Sequence, residues 1–272
     1  MSNNLEDYIK PIKLKPISKK DGEVIFYINK KLVNKDDEIA LGLRYVCNRY
    51  LFGLGYRQIM RDHFEGMGKN SGILIKPFTI SGEVFPTLKF PGDIDFLIIP
   101  YEDDKLIISK TIAIELKIIR AKFIKQHKSP NEFGFSQAKG LIEAGFPYVA
   151  VIHLIISDQS PEDHWRDVLM AKIINAESGK IELLDTVKKD MMPSSLMERA
   201  MGRLVANCPD SKLGLLATYF EKNLENGGNW FPAGRIATFN NKCRLETMDK
   251  IAEYYYQNYE SFLDTRKYPE NR

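Results

Sequence analysis

Thr111-Ile-Ala-Ile-Glu-Leu-Lys-Ile-Ile119 is the stretch on which the fold turns. It is rich in β-branched residues and predicts a strand. Side chains alternate between the two faces of a strand, so Glu115 and Lys117 share one face and Ile114, Leu116 and Ile118 the other. A carboxylate and an ammonium inside such an apolar run need a reason, because burying charge is costly. An alternative is an edge strand whose Glu115–Lys117 ion pair faces solvent.

Just upstream, Pro91-Gly92 signals a turn and Asp93-Ile-Asp-Phe-Leu-Ile-Ile99 a second strand. Asp95 opens its apolar run, with Asp93 on the same face. If the two strands pair through the connector from Pro100 to Lys105, Asp95 approaches Glu115. Gly72-Ile-Leu-Ile-Lys76 predicts a short strand and Leu106-Ile-Ile108 another, giving a β-meander.

Asn34-Lys-Asp-Asp-Glu38 reads as a helix start, its acidic residues suited to the positive end of the helix dipole. Ile39, Leu43, Val46, Cys47 and Tyr50 follow at helical spacing to about Phe52. Gly53, Gly55, Gly66 and Gly68 then mark a looser stretch. Phe135 to Ala144 predicts a helix stopped by Gly145 and Pro147. Tyr148-Val-Ala-Val-Ile-His-Leu-Ile-Ile156 predicts a buried strand. Beyond Ser157, the stretches 194–207, 212–223 and 245–263 read as helical. The order implies an α/β fold: a central mixed sheet flanked by helices, plus a mostly helical C-terminal region. Residues 1–35 form an N-terminal arm with a short strand at Glu23 to Ile28. Residues 36–160 form the core, and 161–272 pack on or beside it.

Hydrophobic residues at 44% and charged residues at 28% suit a globular chain that buries its own core. Three scattered cysteines, Cys47, Cys208 and Cys243, match no metal-ligand spacing and read as reduced thiols. There is no secretory h-region at the N-terminus and no membrane-spanning run, so a cytoplasmic protein is expected. His63, His127, His153 and His164 form no metal motif, and no phosphate-loop string occurs. Trp165 and Trp230 read as core. The net charge of +3 announces no polyanion partner, but Lys117 to Lys128 holds five Lys/Arg residues, His127 and no acid. A second basic run spans Lys10 to Lys20. Either run could be a solvated face.

Two carboxylates at one point can hold a hard divalent cation. A neighbouring lysine can orient a water and stabilise a charged transition state. These are the needs of phosphodiester hydrolysis. Gly92-Asp-Ile-Asp95 followed by Ile114-Glu-Leu-Lys117 resembles the PD-(D/E)xK nuclease superfamily, which includes restriction endonucleases, resolvases and repair nucleases. The core of that superfamily is helix, three-stranded meander, helix, strand, the order read here from Asp36 to Ile156. The resemblance implies a restriction-endonuclease-like core and a metal-dependent DNA endonuclease with a restriction-like or phage-defence role. It implies Asp95, Glu115 and the Leu116 carbonyl as ligands to Mg²⁺, with Mn²⁺ substituting, and Lys117 as the catalytic lysine. Asp93 remains a rival for the place of Asp95. Gln137 resembles a catalytic glutamine of some branches, and Glu38 an extra acidic residue of others. Arg120, Lys122, Lys125 and Lys128 are the expected phosphate contacts. Double-stranded DNA is the implied partner, with a second copy or a defence-system protein as others. The competing functions are a catalytically silent nucleic-acid-binding module of the same fold, a repair or recombination nuclease, and an interaction protein working through its C-terminal helices.

Overall fold

The computed structural model describes residues 5–13, 36–84, 92–127, 133–221 and 230–267. The expected strand at Glu23 to Ile28 lies outside them, as does Lys128. The elements begin with β1 (Lys10–Pro11), α1 (Asp36–Cys47), α2 (Arg49–Ile59) and α3 (Arg61–Gly66). β2 (Ser71–Thr79), α4 (Ser81–Val84), β3 (Ile94–Glu102), β4 (Lys105–Leu106) and β5 (Ile112–Arg120) follow. Then come α5 (Phe135–Glu143), β6 (Tyr148–Ile156), β7 (Arg166–Asn175), β8 (Lys180–Lys189) and α6 (Met192–Asn207). β9 (Gly214–Tyr219), β10 (Ala233–Arg235), α7 (Leu245–Asn258) and β11 (Leu263–Arg266) close the described chain.

The fold is α/β, with a mixed nine-stranded sheet flanked by helices. Reading across, β11, β2, β3 and β5 are antiparallel neighbours, β6 and β9 continue parallel to β5, and β10 returns antiparallel. Every residue of β6 is buried, as its apolar run, broken only at His153, leads one to expect. α1 and α2 cover one face, where Tyr45, Phe52 and Tyr56 pack on Phe96, Ile114 and Leu116. α5 and α7 cover the other, packing on Leu97, Ala113 and Val151. α6 extends that second layer over Ile119, Ile155 and Ala217. Among the described residues no helix is long and apolar enough to cross a membrane.

The C-terminal region corrects the expectation of a mostly helical appendage. The stretch 212–223 contains a central strand, β9, not a helix. Its Leu-Leu-Ala-Thr-Tyr run is buried on both faces, and so short an apolar run carries no period to separate strand from helix. β7 and β8 form an unforeseen hairpin, and β10 and β11 join the main sheet. The C-terminal chain also holds α5 in place. Asn240 Nδ2 donates to the Ile142 and Phe146 carbonyls at 2.9 Å each, and Thr247 Oγ1 donates to Ala144 O at 2.6 Å. These bonds satisfy carbonyls that a helix end leaves open. Two smaller corrections concern the first half. The stretch from Gly53 to Gly66 is helical, and Leu106 to Ile108 makes a short bridge and a 3₁₀ turn. Trp165 and Trp230 are half-buried rather than core.

Candidate active site

β3 and β5 pair at Phe96–Ile114, Leu97–Ala113 and Ile98–Ile112. One step further along this register Asp95 stands opposite Glu115, where the ladder opens. Side-chain alternation places Asp95, Glu115 and Lys117 on the face covered by α5. The strands expected to be neighbours are neighbours, and the carboxylates share one face. Asp95 Oδ2 crosses the gap and accepts a hydrogen bond from Leu116 N at 2.6 Å. The N–H and C=O of a strand residue project to the same edge, so the Leu116 carbonyl opens toward this gap as well.

Glu115 is 1% exposed and β5 is internal to the sheet, which removes the solvent-facing edge alternative. Lys117 Nζ lies 2.6 Å from Glu115 Oε1. Among the described residues neither Glu115 oxygen has a hydrogen-bond donor beyond this ion pair. Buried carboxylates are ordinarily well satisfied, and one so sparsely satisfied marks a place for a ligand. Burial, with a smaller push from the charge of Glu38, raises Glu115 to about 6 against the pull of Lys117 and the hydrogen bond that Asp95 gives it when protonated. Burial, and then the charge of Glu115, push Asp95 well above the usual carboxylate range; the Leu116 N–H opposes them and Glu38 adds to them. Burial works against the Lys117 ammonium, but Glu115, Asp95 and Glu38 outweigh it and raise its pKa.

Asp93 is used elsewhere: its Oδ1 accepts from Ser81 N at 3.0 Å, at the start of α4. That contact favours Asp95 as the ligand. Glu38 reaches the edge of the group from the opposite layer. It lies one turn before Gly42, whose lack of a side chain lets α1 approach Leu116 and Phe78; a Cβ there would meet Leu116 Cδ2 at 3.1 Å. Among the described residues no group of three or more His, Cys, Asp or Glu side chains could hold a metal ion. Mg²⁺ keeps several waters and needs only one or two carboxylates. Asp95, the Glu115 oxygens and the Leu116 carbonyl form a donor set of that kind.

α5 begins against this group. Gly134, at φ +84°, is its N-cap, and a Cβ there would lie 2.8 Å from Glu115 Cγ and 3.6 Å from Lys117 Cε. Gln137 is the third residue of α5, and its Nε2 would be 2.5 Å from a Cβ on Gly92, so it sits over the turn that leads to Asp95. Gly134→Ala therefore meets both a left-handed backbone penalty, about 1–2 kcal/mol, and a collision with Glu115. Its urea midpoint falls below that of wild type, and an unchanged midpoint would contradict the packing described.

The basic residues divide. Lys122 and Lys125 are exposed on a tight turn after β5. Arg120 is half-buried and, by alternation, falls on the opposite sheet face from Lys117. His153 was visible in the sequence as a polar break in β6 but carried no assignment. It pairs in register with Lys117 and is fully buried. Its Nε2 lies 3.2 Å from Phe133 O. A carbonyl only accepts, so Nε2 carries the proton and Nδ1 the lone pair. Burial, with lesser help from Arg203 and Lys117, lowers its pKa to about 4, so the ring is neutral and ties the residues before α5 to the sheet. A cleft of about 490 Å³ between α2, α3 and β11, lined by Arg49, Tyr56 and Phe64 among others, contains none of these residues.

No family model, curated protein or solved structure matches this chain.

Proposed function

We propose that this chain is a metal-dependent nuclease of the PD-(D/E)xK kind, acting on DNA as an endonuclease. One observation carries the reading. Asp95 and Glu115, from neighbouring strands, converge beside Lys117 where the β3–β5 ladder opens, and among the described residues the Lys117 ammonium, 2.6 Å from Oε1, is the charge partner of the buried Glu115 carboxylate. Asp95, Glu115 and the Leu116 carbonyl would hold Mg²⁺ or Mn²⁺, which when bound polarises a phosphate and lowers the pKa of a coordinated water.

The chain's own groups supply the rest. Lys117 sets a fixed positive charge where a phosphoryl oxygen gains negative charge, and a preorganised charge costs no reorganisation during reaction. Gln137, over the turn that leads to Asp95, would orient a water by hydrogen bonding. The opening turn of α5 directs unsatisfied N–H groups and the positive dipole end toward the same point, which favours a phosphate. Lys122 and Lys125 hold the nucleic-acid backbone without reading its sequence. A restriction-like or phage-defence role suits such an enzyme, by analogy with the superfamily.

The direct test is plasmid DNA incubated with purified protein and Mg²⁺ or Mn²⁺. Cleavage that EDTA abolishes is expected. Binding of DNA without cleavage under either metal would point instead to the silent binding module.

A further inference from the structure

β7 and β8 form a two-stranded ribbon that stands away from the main sheet. All twenty of its residues are exposed except Val168, which is half-buried. Its apolar content is high: Leu169, Met170, Ile173, Ile174, Ile181, Leu183, Leu184 and Val187 all face solvent, Ile173 at 68%. The base is firmly built. The Asp190 carboxylate accepts from Ser160 N and Met192 N, each at 2.9 Å, and Lys189 Nζ lies 4.5 Å from the Trp230 ring centroid. At the tip, Asn175 Oδ1 accepts from Ser178 N at 2.7 Å. A hairpin alone is marginal in water, and three or more strands are needed for independent stability. The ribbon is held at its base and closed by its turn, and among the described residues it has no third strand.

Its two outer edges differ. The pairing slips between Leu169–Thr186 and Ala171–Leu183, so two residues of β8, Leu184 and Asp185, oppose the single Met170. β8 is therefore bulged at mid-length, and it carries Lys180, Glu182, Asp185, Lys188 and Lys189. Bulges and charges protect an edge from further pairing. β7 is regular from Arg166 to Ile173, its own irregularity falls at its end, on Ile174, and between Val168 and Ile174 its one charge is Lys172. β7 is the open edge.

We infer that β7 pairs antiparallel with β7 of a second copy of this chain, about a two-fold axis through Ala171, to form a four-stranded sheet. Apolar pairing and charge together favour this register. It sets Leu169 opposite Ile173 of the second copy, twice, and Val168 opposite Ile174, twice, with no like charges facing. An axis through Leu169 would set Arg166 against Lys172. An axis through Lys172 would oppose two ammonium groups, and one through Met170 would set Asp167 against Ile173 and Lys172 against Val168, whereas the axis through Ala171 leaves Lys172 facing Met170 as its one charged–apolar pair between Val168 and Ile174. The strand order β8, β7, β7, β8 leaves the two guarded edges outside, so assembly stops at a dimer. A two-fold contact of this kind is self-complementary and closed. The inference does not rest on the nuclease reading.

Sedimentation velocity of the full chain tests it. Wild type is expected as a dimer at micromolar concentration. Leu169→Lys and Ile173→Glu should each weaken self-association by at least about tenfold, since each lies on the surface and removes both copies of a cross-strand pair. An equimolar mixture of the two variants should recover dimers, because in the mixed pair the two new charges face each other. Directly opposed residues of antiparallel strands lie about 4.5–5.5 Å apart at Cα, within disulfide reach. Ala171→Cys, in a Cys47→Ser background, should therefore cross-link into a covalent dimer under mild oxidation, and Asp185→Cys should not. A monomeric wild type overturns the inference. So does a mixture that fails to recover dimers, or cross-linking through position 185 in place of 171. A monomer whose DNA affinity falls in both variants would overturn it in favour of a nucleic-acid arm.

Discussion

Lys117→Ala is expected to lose about a thousandfold in DNA cleavage, the usual scale for removing one preorganised electrostatic group from an active site. Asp95→Asn and Glu115→Gln should fall at least as far. The three differ in what else they change. The carboxylate variants weaken Mn²⁺ binding, measured by calorimetry on the unreacting protein. Lys117→Ala leaves that binding in place, because an ammonium is not a ligand. The triple variant should be little worse than the poorest single one, since groups acting as a unit are not additive. None of the three should unfold the chain: Lys117 keeps 23% of its side chain exposed, and Glu115→Gln removes a buried charge. Wild-type cleavage by Lys117→Ala, with contaminating nuclease excluded, would sink the proposed mechanism.

The meander and its polar break were legible because their signals are local. Alternation in β5 and the apolar run of β6 fix both the strands and the face on which Glu115 and Lys117 lie. β6 runs from Tyr148 to Ile156, the bounds its sequence suggests. Asp95 could be set beside Glu115 only on condition that β3 pairs with β5, and the structure supplies that pairing. What stayed hidden depends on distant partners. β9 is a strand because β6 and β10 pair with its two edges, and nothing in Gly214 to Tyr219 says so. The choice between Asp93 and Asp95 rests on Ser81, a residue twelve positions upstream of Asp93, whose N–H engages the former. Gly134 carried a signal that could have been used. Glycine between Phe133 and Phe135, just ahead of a helical pattern, suits a left-handed N-cap. The ribbon had one too: Ser178-Gly179 lies between Ile173-Ile174 and Ile181, a turn pair between β-branched runs. The basic loop reads the same in sequence whichever way it points, and it is the extension of β5 as far as Arg120 that brings this residue under alternation and onto the other face from Lys117.

The second large effect is on stability. Without added metal, wild type should lose about 2 kcal/mol relative to Glu115→Gln as pH rises from 4 to 7, from the shift of Glu115 alone. The sign follows from the direction of the shift. Burial raises Glu115 from 4.5 in the unfolded chain to about 6 in the folded one. Between those values the folded state binds more protons than the unfolded state, so stability falls as pH rises. The contribution is fully present below the lower value and gone above the upper one. Asp95, raised by burial and by Glu115, pushes in the same direction. Glutamine does not titrate, so the variant lacks the Glu115 part of this loss. For a chain of this size the difference corresponds to roughly 4–8 °C in unfolding midpoint. At pH 7 the cost reflects the burial of two carboxylates held close together, which Lys117 and the Leu116 N–H offset only in part. Mg²⁺ should offset it, raising the wild-type midpoint with the logarithm of its concentration above the dissociation constant while leaving Glu115→Gln nearly unmoved. A wild type whose stability relative to Glu115→Gln rises between pH 4 and 7 would contradict the burial of Glu115. A midpoint that responds to Mg²⁺ equally in both proteins would place the ion away from these carboxylates.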